Sequence, residues 1–296
     1  MNFKEELAKR VEEIQKMLKE YLPKEEGNQK VVLQAMNYSV SAGGKRLRPM
    51  LMQEAYRLFG GKEDIINPFM AALEMIHTYS LIHDDLPAMD NDEYRRGRKT
   101  THVVYGEAMA ILAGDGLLNY AFETAAGAFS RKPGDCRVER AFSILAKKAG
   151  VFGMIGGQTA DILAEERKQP LTLKELLYIH ENKTAALIQS ALMIGAVLAG
   201  AGEEQIQHME KAGYDIGVAF QIQDDILDVT GDMEKLGKPI GSDEKNNKAT
   251  YVTLVGLEEA KKEQERLSRE AMELLEMEGA GSFFLELVQS LITRES

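Results

Sequence analysis

Three observations predict an all-α protein. Apolar residues recur at three- and four-residue steps along nearly the whole chain, strand signals are nearly absent, and glycine and proline punctuate the helical stretches. The first segment shows the pattern: Leu7, Val11, Ile14, Leu18 and Leu22 share one face, and Pro23 stops the helix. Further helical patterns run over about 28–40, 46–59, 65–86, 104–129, 137–150, 151–166, 173–200, 203–230, 255–277 and 281–293. Breaks fall at Gly60-Gly61, Lys132-Pro133-Gly134, Pro170, Gly200–Gly202 and Gly279–Gly281. Thr172 with Glu175 forms a capping box for the helix leading to Lys183. The longest irregular stretch, 231–249, is polar and Gly-rich, and loops of that length in compact domains are usually functional. No stretch reads as a linker, so the prediction is a single domain over residues 1–296.

Composition narrows the function. Of 296 residues, 44% are hydrophobic and 28% charged, as in soluble globular proteins able to bury a core. A net charge of −11 with no basic face argues against a nucleic-acid partner, though not against small phosphorylated ligands. The single Cys136 leaves no intramolecular disulfide and fits a reducing, cytoplasmic compartment; with no CxxC or Cys/His pattern around it, it reads as incidental. The charged start MNFKEELAKR does not look like a signal peptide. Residues 184–202 run 19 positions without a charge, but six Ala and three Gly make a buried helix the expectation, not a membrane span.

Two doubled aspartates carry the chemistry: HDDLPAMD at 83–90 and QDDILD at 223–228. Adjacent carboxylates raise the cost of each other's charge unless a cation sits between them. An oxygen-only ligand set favours a hard ion, Mg²⁺ before Zn²⁺. Asp224 and Asp228, four apart, share one helix face with Asp225 beside them; the competing reading is a solvated acidic face. Asp84 and Asp90, six apart, fall about 240° apart on an ideal helix. Pro87 removes a helical hydrogen bond, and a distortion there would return Asp90 to the side of Asp84. Basic clusters lie close by, Gly43-Gly44-Lys45-Arg46-Leu47-Arg48-Pro49 and Arg95-Arg96-Gly97-Arg98. Guanidinium forks suit phosphate oxygens, whereas the simpler reading is that they neutralise the aspartates. His77, seven residues before Asp84, reads equally as a core residue or as a phosphate contact. No GxSxG, Walker loop, HExxH or EF-hand loop is present, so no activated nucleophile accompanies these clusters.

GGKRLRP, EMIHTYSLIHDDLPAMDNDEYRRG, GGQTAD, Lys183-Thr184, FQIQDDILD and GKPIGSD, in that order, resemble the trans-isoprenyl diphosphate synthases, and among them the bacterial farnesyl diphosphate synthases. The resemblance implies the isoprenoid synthase fold, a bundle of long helices around a deep central cavity, and a homodimer. It implies head-to-tail condensation of isopentenyl diphosphate with dimethylallyl and then geranyl diphosphate, by ionisation, attack of the alkene and proton loss. By motif position, Asp84, Asp85, Asp90, Asp224, Asp225 and Asp228 hold Mg²⁺ (Mn²⁺ as substitute) against the allylic diphosphate. Arg95, Lys183 and Lys238 reach that diphosphate, while Lys45, Arg48, His77 and Arg96 hold isopentenyl diphosphate. Thr184 and Gln221 offer neutral oxygens to the carbocation, Gln158 and Asp161 support them, and Asp243 and Lys248 order the 231–249 segment as a lid. Tyr79 with Ser80, just before the first pair, matches the farnesyl pattern, Tyr79 as floor of the product pocket or as ordinary core. Alternatives are a geranylgeranyl synthase, a terpene cyclase, which would not need GGKRLRP, and a non-catalytic subunit of a heteromeric synthase, which tends to lack one aspartate cluster.

Overall fold

The computed structural model describes residues 2–167, 169–230 and 249–292. The all-α prediction holds: among these residues strand is confined to one hairpin of two-residue strands. The chain folds as two compact units, residues 1–53 with 62–142 and residues 54–61 with 143–296.

In the first unit, α1 (Phe3–Glu20) starts with a capping box between Asn2 and Glu5 and buries Ile14 and Leu18. α2 (Lys30–Val40) precedes a short loop, and α3 (Leu47–Leu58), which from residue 54 belongs to the second unit, follows it. α4 (Asn67–Asp84) carries Pro68 in its first turn, where the missing N–H costs nothing, and is buried almost all round from Pro68 to Ile76. The hairpin pairs β1 (Tyr94–Arg95) with β2 (Arg98–Lys99), and Arg96 and Gly97 both have positive φ (53° and 73°), as a two-residue primed turn requires. After α5 (Thr101–Tyr105), the long α6 (Glu107–Arg131) packs along α4, and its buried face is mostly small: Ala110, Ala113, Gly114, Ala121 and Ala125 beside Leu117. A Cβ at Gly114 would run into the His83 ring, so the close approach depends on glycine.

α7 (Cys136–Ala149) begins with the exposed Cys136 in the first unit, and from residue 143 it belongs to the second. The second unit also contains α8 (Met154–Glu166), α9 (Leu173–Ile179), α10 (Ala186–Ala199), α11 (Glu203–Thr230), α12 (Tyr251–Val255), α13 (Leu257–Met277) and α14 (Ser282–Ile292). The capping box of Thr172 and Glu175 is present. The helix predicted over 173–200 is continuous in direction but not in type, because His180–Ala185 form a π-helical turn. Leu173–Ala199 is long and apolar enough to cross a membrane, yet 83% of its most apolar stretch is buried in the fold, as for a core helix. Its last part is enclosed from Ala186 to Leu198 and ends on Gly200, which takes the left-handed conformation (φ 89°). α11 packs along both α10 and α13.

Candidate active site

The first aspartate cluster sits where α4 stops. Asp84 is the last helical residue, Pro87 has no N–H to continue the ladder, and the chain turns back. The Asp90 N–H donates to the Asp84 carbonyl at 2.8 Å, and Asn91, at φ 55°, turns the chain away. The turn therefore returns Asp90 to the backbone of Asp84, which a straight helix would not. Asp84 is half-buried and Asp90 exposed. Asp85, in contrast, is 4% exposed and takes two bonds from Arg95, Nε at 2.7 Å and Nη2 at 2.6 Å. Burial raises the Asp85 pKa, and the Arg95 guanidinium opposes that rise.

The hairpin that carries Arg95 also reaches the loop between α2 and α3. Arg96 donates to the Gly43 carbonyl, and Arg98 to the Ser41 carbonyl at 3.3 Å while lying 4.6 Å over the Tyr38 ring. A Cβ at Gly44 would run into the Arg96 guanidinium, so the second glycine of GGKRLRP makes room for this contact. Lys45 is exposed, and Arg48 is half-buried with its Nε enclosed and without a hydrogen-bond partner. Burial pushes Arg48 down to about 10, with Glu74 opposing. His77 lies among these cations: burial first, then Arg48, Arg96, Arg46 and Arg95, hold its pKa well below the ordinary histidine value. It is therefore a neutral ring in a basic cluster. Ser80 donates to the His77 carbonyl at 2.9 Å. Tyr79, 6% exposed, stacks edge-on against His83 at 5.7 Å, and burial with the nearby Asp84 pushes its hydroxyl up to about 12.

The second cluster lies within the uninterrupted α11, where Asp224 and Asp228 are half-buried and Asp225 is 9% exposed. Asp225 accepts the Tyr251 N–H at 2.6 Å and stands 3.9 Å from His180 Nε2. A cavity of about 720 Å³ opens beside it, lined by Asp161, His180, Lys183, Gln221, Asp224 and Asp225 among others. The π turn gives this wall its shape, since one extra residue per turn swings Lys183 and Thr184 out of helical register. A Cβ at Gly157 would collide with the Lys183 backbone nitrogen, so GGQTAD supplies the gap into which the turn fits. Lys183 Nζ bonds Asp161 Oδ2 at 2.5 Å. Thr184 donates to the Gln221 side-chain oxygen, and the Gln221 amide reaches Asp224 Oδ2 at 3.5 Å.

Lys183, Thr184, Gln221, Asp224 and Asp225 thus form one constellation in the second unit, with Asp228 one turn further along α11. Lys45, Arg48, His77, Arg95, Arg96 and the first aspartates gather in the first unit. Lys238, Asp243 and Lys248, and all but the last residue of the 231–249 stretch, lie outside the described residues. The sequence reading missed Arg46, Glu74, His180 and the Asp85–Arg95 pair. Only Glu74 left a signal, as a lone charge inside the apolar run of α4.

No group of three or more His, Cys, Asp or Glu side chains is gathered for a metal among the described residues. The donor set still suits Mg²⁺, which commonly takes one or two carboxylates and fills its octahedron with water and substrate phosphate oxygens. Asp84 with Asp90, and Asp224 with Asp228, each offer that number of carboxylates.

Residues 29–281 match the Polyprenyl synthetase family. The farnesyl diphosphate synthase of Geobacillus stearothermophilus is 49% identical over 249 residues, covering 84% of this chain and 82% of that protein. The geranylgeranyl diphosphate synthase of Cyanophora paradoxa is 47% identical over 267 residues, covering 90% and 88%. The crystal structure of the Helicobacter pylori geranyltransferase complexed with magnesium and isoprenyl diphosphate superposes with a TM-score of 0.82 at 33% identity, covering 99% of this chain and 97% of that one. The chain belongs to the polyprenyl synthetase family, and is a prenyltransferase that elongates prenyl chains.

Proposed function

We propose that this prenyltransferase makes farnesyl diphosphate, adding isopentenyl diphosphate to dimethylallyl and then to geranyl diphosphate, as a homodimer of a single polyprenyl synthetase domain spanning 1–296. The observation that carries the reading is the cavity wall on which a lysine, an amide and a carboxylate stand together, Lys183, Gln221 and Asp224, with the Thr184 hydroxyl bonded to Gln221. Bound Mg²⁺ supplies neutralisation of the charge that builds on the departing diphosphate. Asp84, Asp90, Asp224 and Asp228 are the residues to hold it. Asp85 and Asp225, ligands by motif alone, have their carboxylates on Arg95 and on the Tyr251 N–H. We assign them to fixing the turn and the start of α12.

Lys183 leaves Asp161 for the allylic diphosphate, and Arg95 and Lys238 add positive charge there. Thr184 and Gln221 present oxygen dipoles to the carbocation; these stabilise it, whereas a nearby carboxylate not bound to metal would be alkylated. Lys45, Arg48 and Arg96 bind isopentenyl diphosphate, with neutral His77 as a hydrogen-bond partner that adds no charge. Tyr79, five residues before Asp84 and so about 7.5 Å along the axis, floors the product pocket.

A second reading, geranylgeranyl synthesis, draws on the relative from Cyanophora paradoxa at 47% identity. Incubating the purified chain with isopentenyl diphosphate plus either dimethylallyl or geranyl diphosphate and Mg²⁺, with product length read by chromatography, separates the two. A C15 product supports the proposal, and a C20 product replaces it with the second reading. No elongation with either allylic primer defeats both. Tyr79→Ala should lengthen the product; an unchanged C15 profile in the folded variant removes Tyr79 as the floor.

A further inference from the structure

We propose that Arg46 and Glu74 form a buried brace that positions the GGKRLRP loop for the isopentenyl diphosphate anion, with neither residue touching the ligand. The inference rests on the assignment of Lys45 and Arg48 to that anion. Arg46 stands between them in sequence, yet its side chain points the other way: it is 3% exposed, as is that of Glu74. Nη1 lies 2.5 Å from Glu74 Oε1, and Nη2 donates at 2.5 Å to the carbonyl of Val40, the last residue of α2. One side chain therefore ties both ends of the six-residue loop, 41–46, to α4.

The loop needs such a tie. Gly43 (φ 86°), Gly44 (φ 134°) and Arg46 (φ 48°) are all left-handed, and for Arg46, which carries a Cβ, that conformation is strained. The carbonyls of Val40, Ser41 and Gly43 are each held by a guanidinium, from Arg46, Arg98 and Arg96. With its carbonyls turned to these arginines, the loop is held where Lys45 stays exposed and Arg48 half-buried. Arg98 and Arg96 bind at the surface, where solvent competes; the Arg46–Glu74 pair is enclosed, so its geometry is the fixed point. Glu74 also sets the charge of the cluster, because its carboxylate is the anion acting on both Arg48 and Arg96. A buried ion pair is a poor source of net stability, but removing one partner strands the other. A brace of this kind therefore reveals itself as coupling between two residues.

The test is a double-mutant cycle with Arg46→Met, Glu74→Gln and the pair together, reading KM separately for isopentenyl and geranyl diphosphate. Each single variant should raise the isopentenyl KM about tenfold and leave the geranyl KM within about twofold. The double variant should stay about as high as the worse single variant, well short of the product of the two single effects, because the tie is already lost when either partner goes. Glu74→Asp, which keeps the charge and only lengthens the pair, should rise about threefold and covers the case in which a single variant does not fold. A single variant that fails to fold while the double folds also supports the brace. Single effects that multiply in the double, or a Glu74→Gln variant at the wild-type isopentenyl KM beside a raised Arg46→Met, would make Arg46 act on its own as a ligand and overturn the proposal. So would melting temperatures that fall in the variants while every KM stays at the wild-type value. Lys45→Ala and Arg48→Ala run in parallel. If they leave the isopentenyl KM unchanged, the underlying assignment fails; if they raise it and the brace variants do not, only the brace fails.

Discussion

The two doubled aspartates solve one electrostatic problem in opposite ways. At the end of α4 the helix is broken, and Asp90 returns to Asp84 through a backbone hydrogen bond across Pro87. In α11 the helix runs on unbroken, and the i, i+4 step alone puts Asp224 and Asp228 on one face. The second member of each pair behaves alike in both places: Asp85 is buried against Arg95, and Asp225 is buried against the Tyr251 N–H. On the proposed reading a doubled aspartate is not a doubled ligand: one carboxylate would take the cation, while its neighbour, about 100° away around the helix, anchors the next element of chain.

The largest effects should come from the carboxylates assigned to the cation. Asp84→Ala and Asp224→Ala should each lower kcat on the order of 10³-fold or more, with helical circular dichroism retained. A loss of helicity in either variant would make that cluster structural and break the parallel between them. Next comes the π turn, which has no counterpart at the first cluster. Gly157→Ala pushes on the Lys183 backbone nitrogen, and displacements of about 1 Å at a reacting group cost on the order of 10²-fold. Its kcat should fall by at least about that much, with a lowered melting temperature because the added Cβ meets backbone that must shift; a full-rate variant would mean that the turn's position is not critical.

The inner carboxylates should matter less, and unequally. Asp85→Ala leaves Arg95 with Asp92 at 3.6 Å as its ion-pair partner and loosens the turn, so a loss of about 10- to 100-fold is expected. Asp225→Asn still accepts the Tyr251 N–H, so its loss should stay under about tenfold. Measured side by side, an Asp85→Ala defect equal to that of Asp84→Ala would make Asp85 a metal ligand after all.

Local periodicity made most of the fold legible, because a face of apolar residues at three- and four-residue steps needs no knowledge of the partner it packs on. The boundaries of α11 and the capping box at Thr172 follow from that kind of reading. The ordered motifs likewise pointed to the residues at the cavity wall. What escaped depends on close approach between elements distant in sequence. The π turn exists because Gly157 leaves room for it, 26 positions before Lys183 (183 minus 157). The hairpin at 94–99 was invisible because its turn is Arg-Gly, not Asn-Gly, with the left-handed Arg96 held by the Gly43 carbonyl. Arg46 had no role of its own in the reading of GGKRLRP, and only its burial against Glu74 sets it apart from Lys45 and Arg48.

An effect on stability alone separates the two helices by the acid each buries upstream of its aspartates. On α4, Glu74 faces a guanidinium as buried as itself. On α11, Asp215 has a fully buried side chain, yet its cation is Lys211, whose side chain is 49% exposed, and its Oδ2 has no hydrogen-bond partner. Burial pushes the Asp215 carboxyl up to about 6 from an ordinary value of 3.8, against the pull of Lys211. The folded state then holds the proton more tightly than the unfolded chain. Its advantage is complete below about pH 4 and lost as pH rises through about 6. The gap corresponds to on the order of 2–3 kcal/mol. Asp215→Asn abolishes this dependence, so wild type should lose that much stability relative to the variant between pH 4 and pH 7. Urea unfolding of both proteins at the two pH values measures the difference. Parallel changes in the two proteins would mean that Lys211 neutralises Asp215 as fully as Arg46 neutralises Glu74, and the two helices would then bury their acids by the same device.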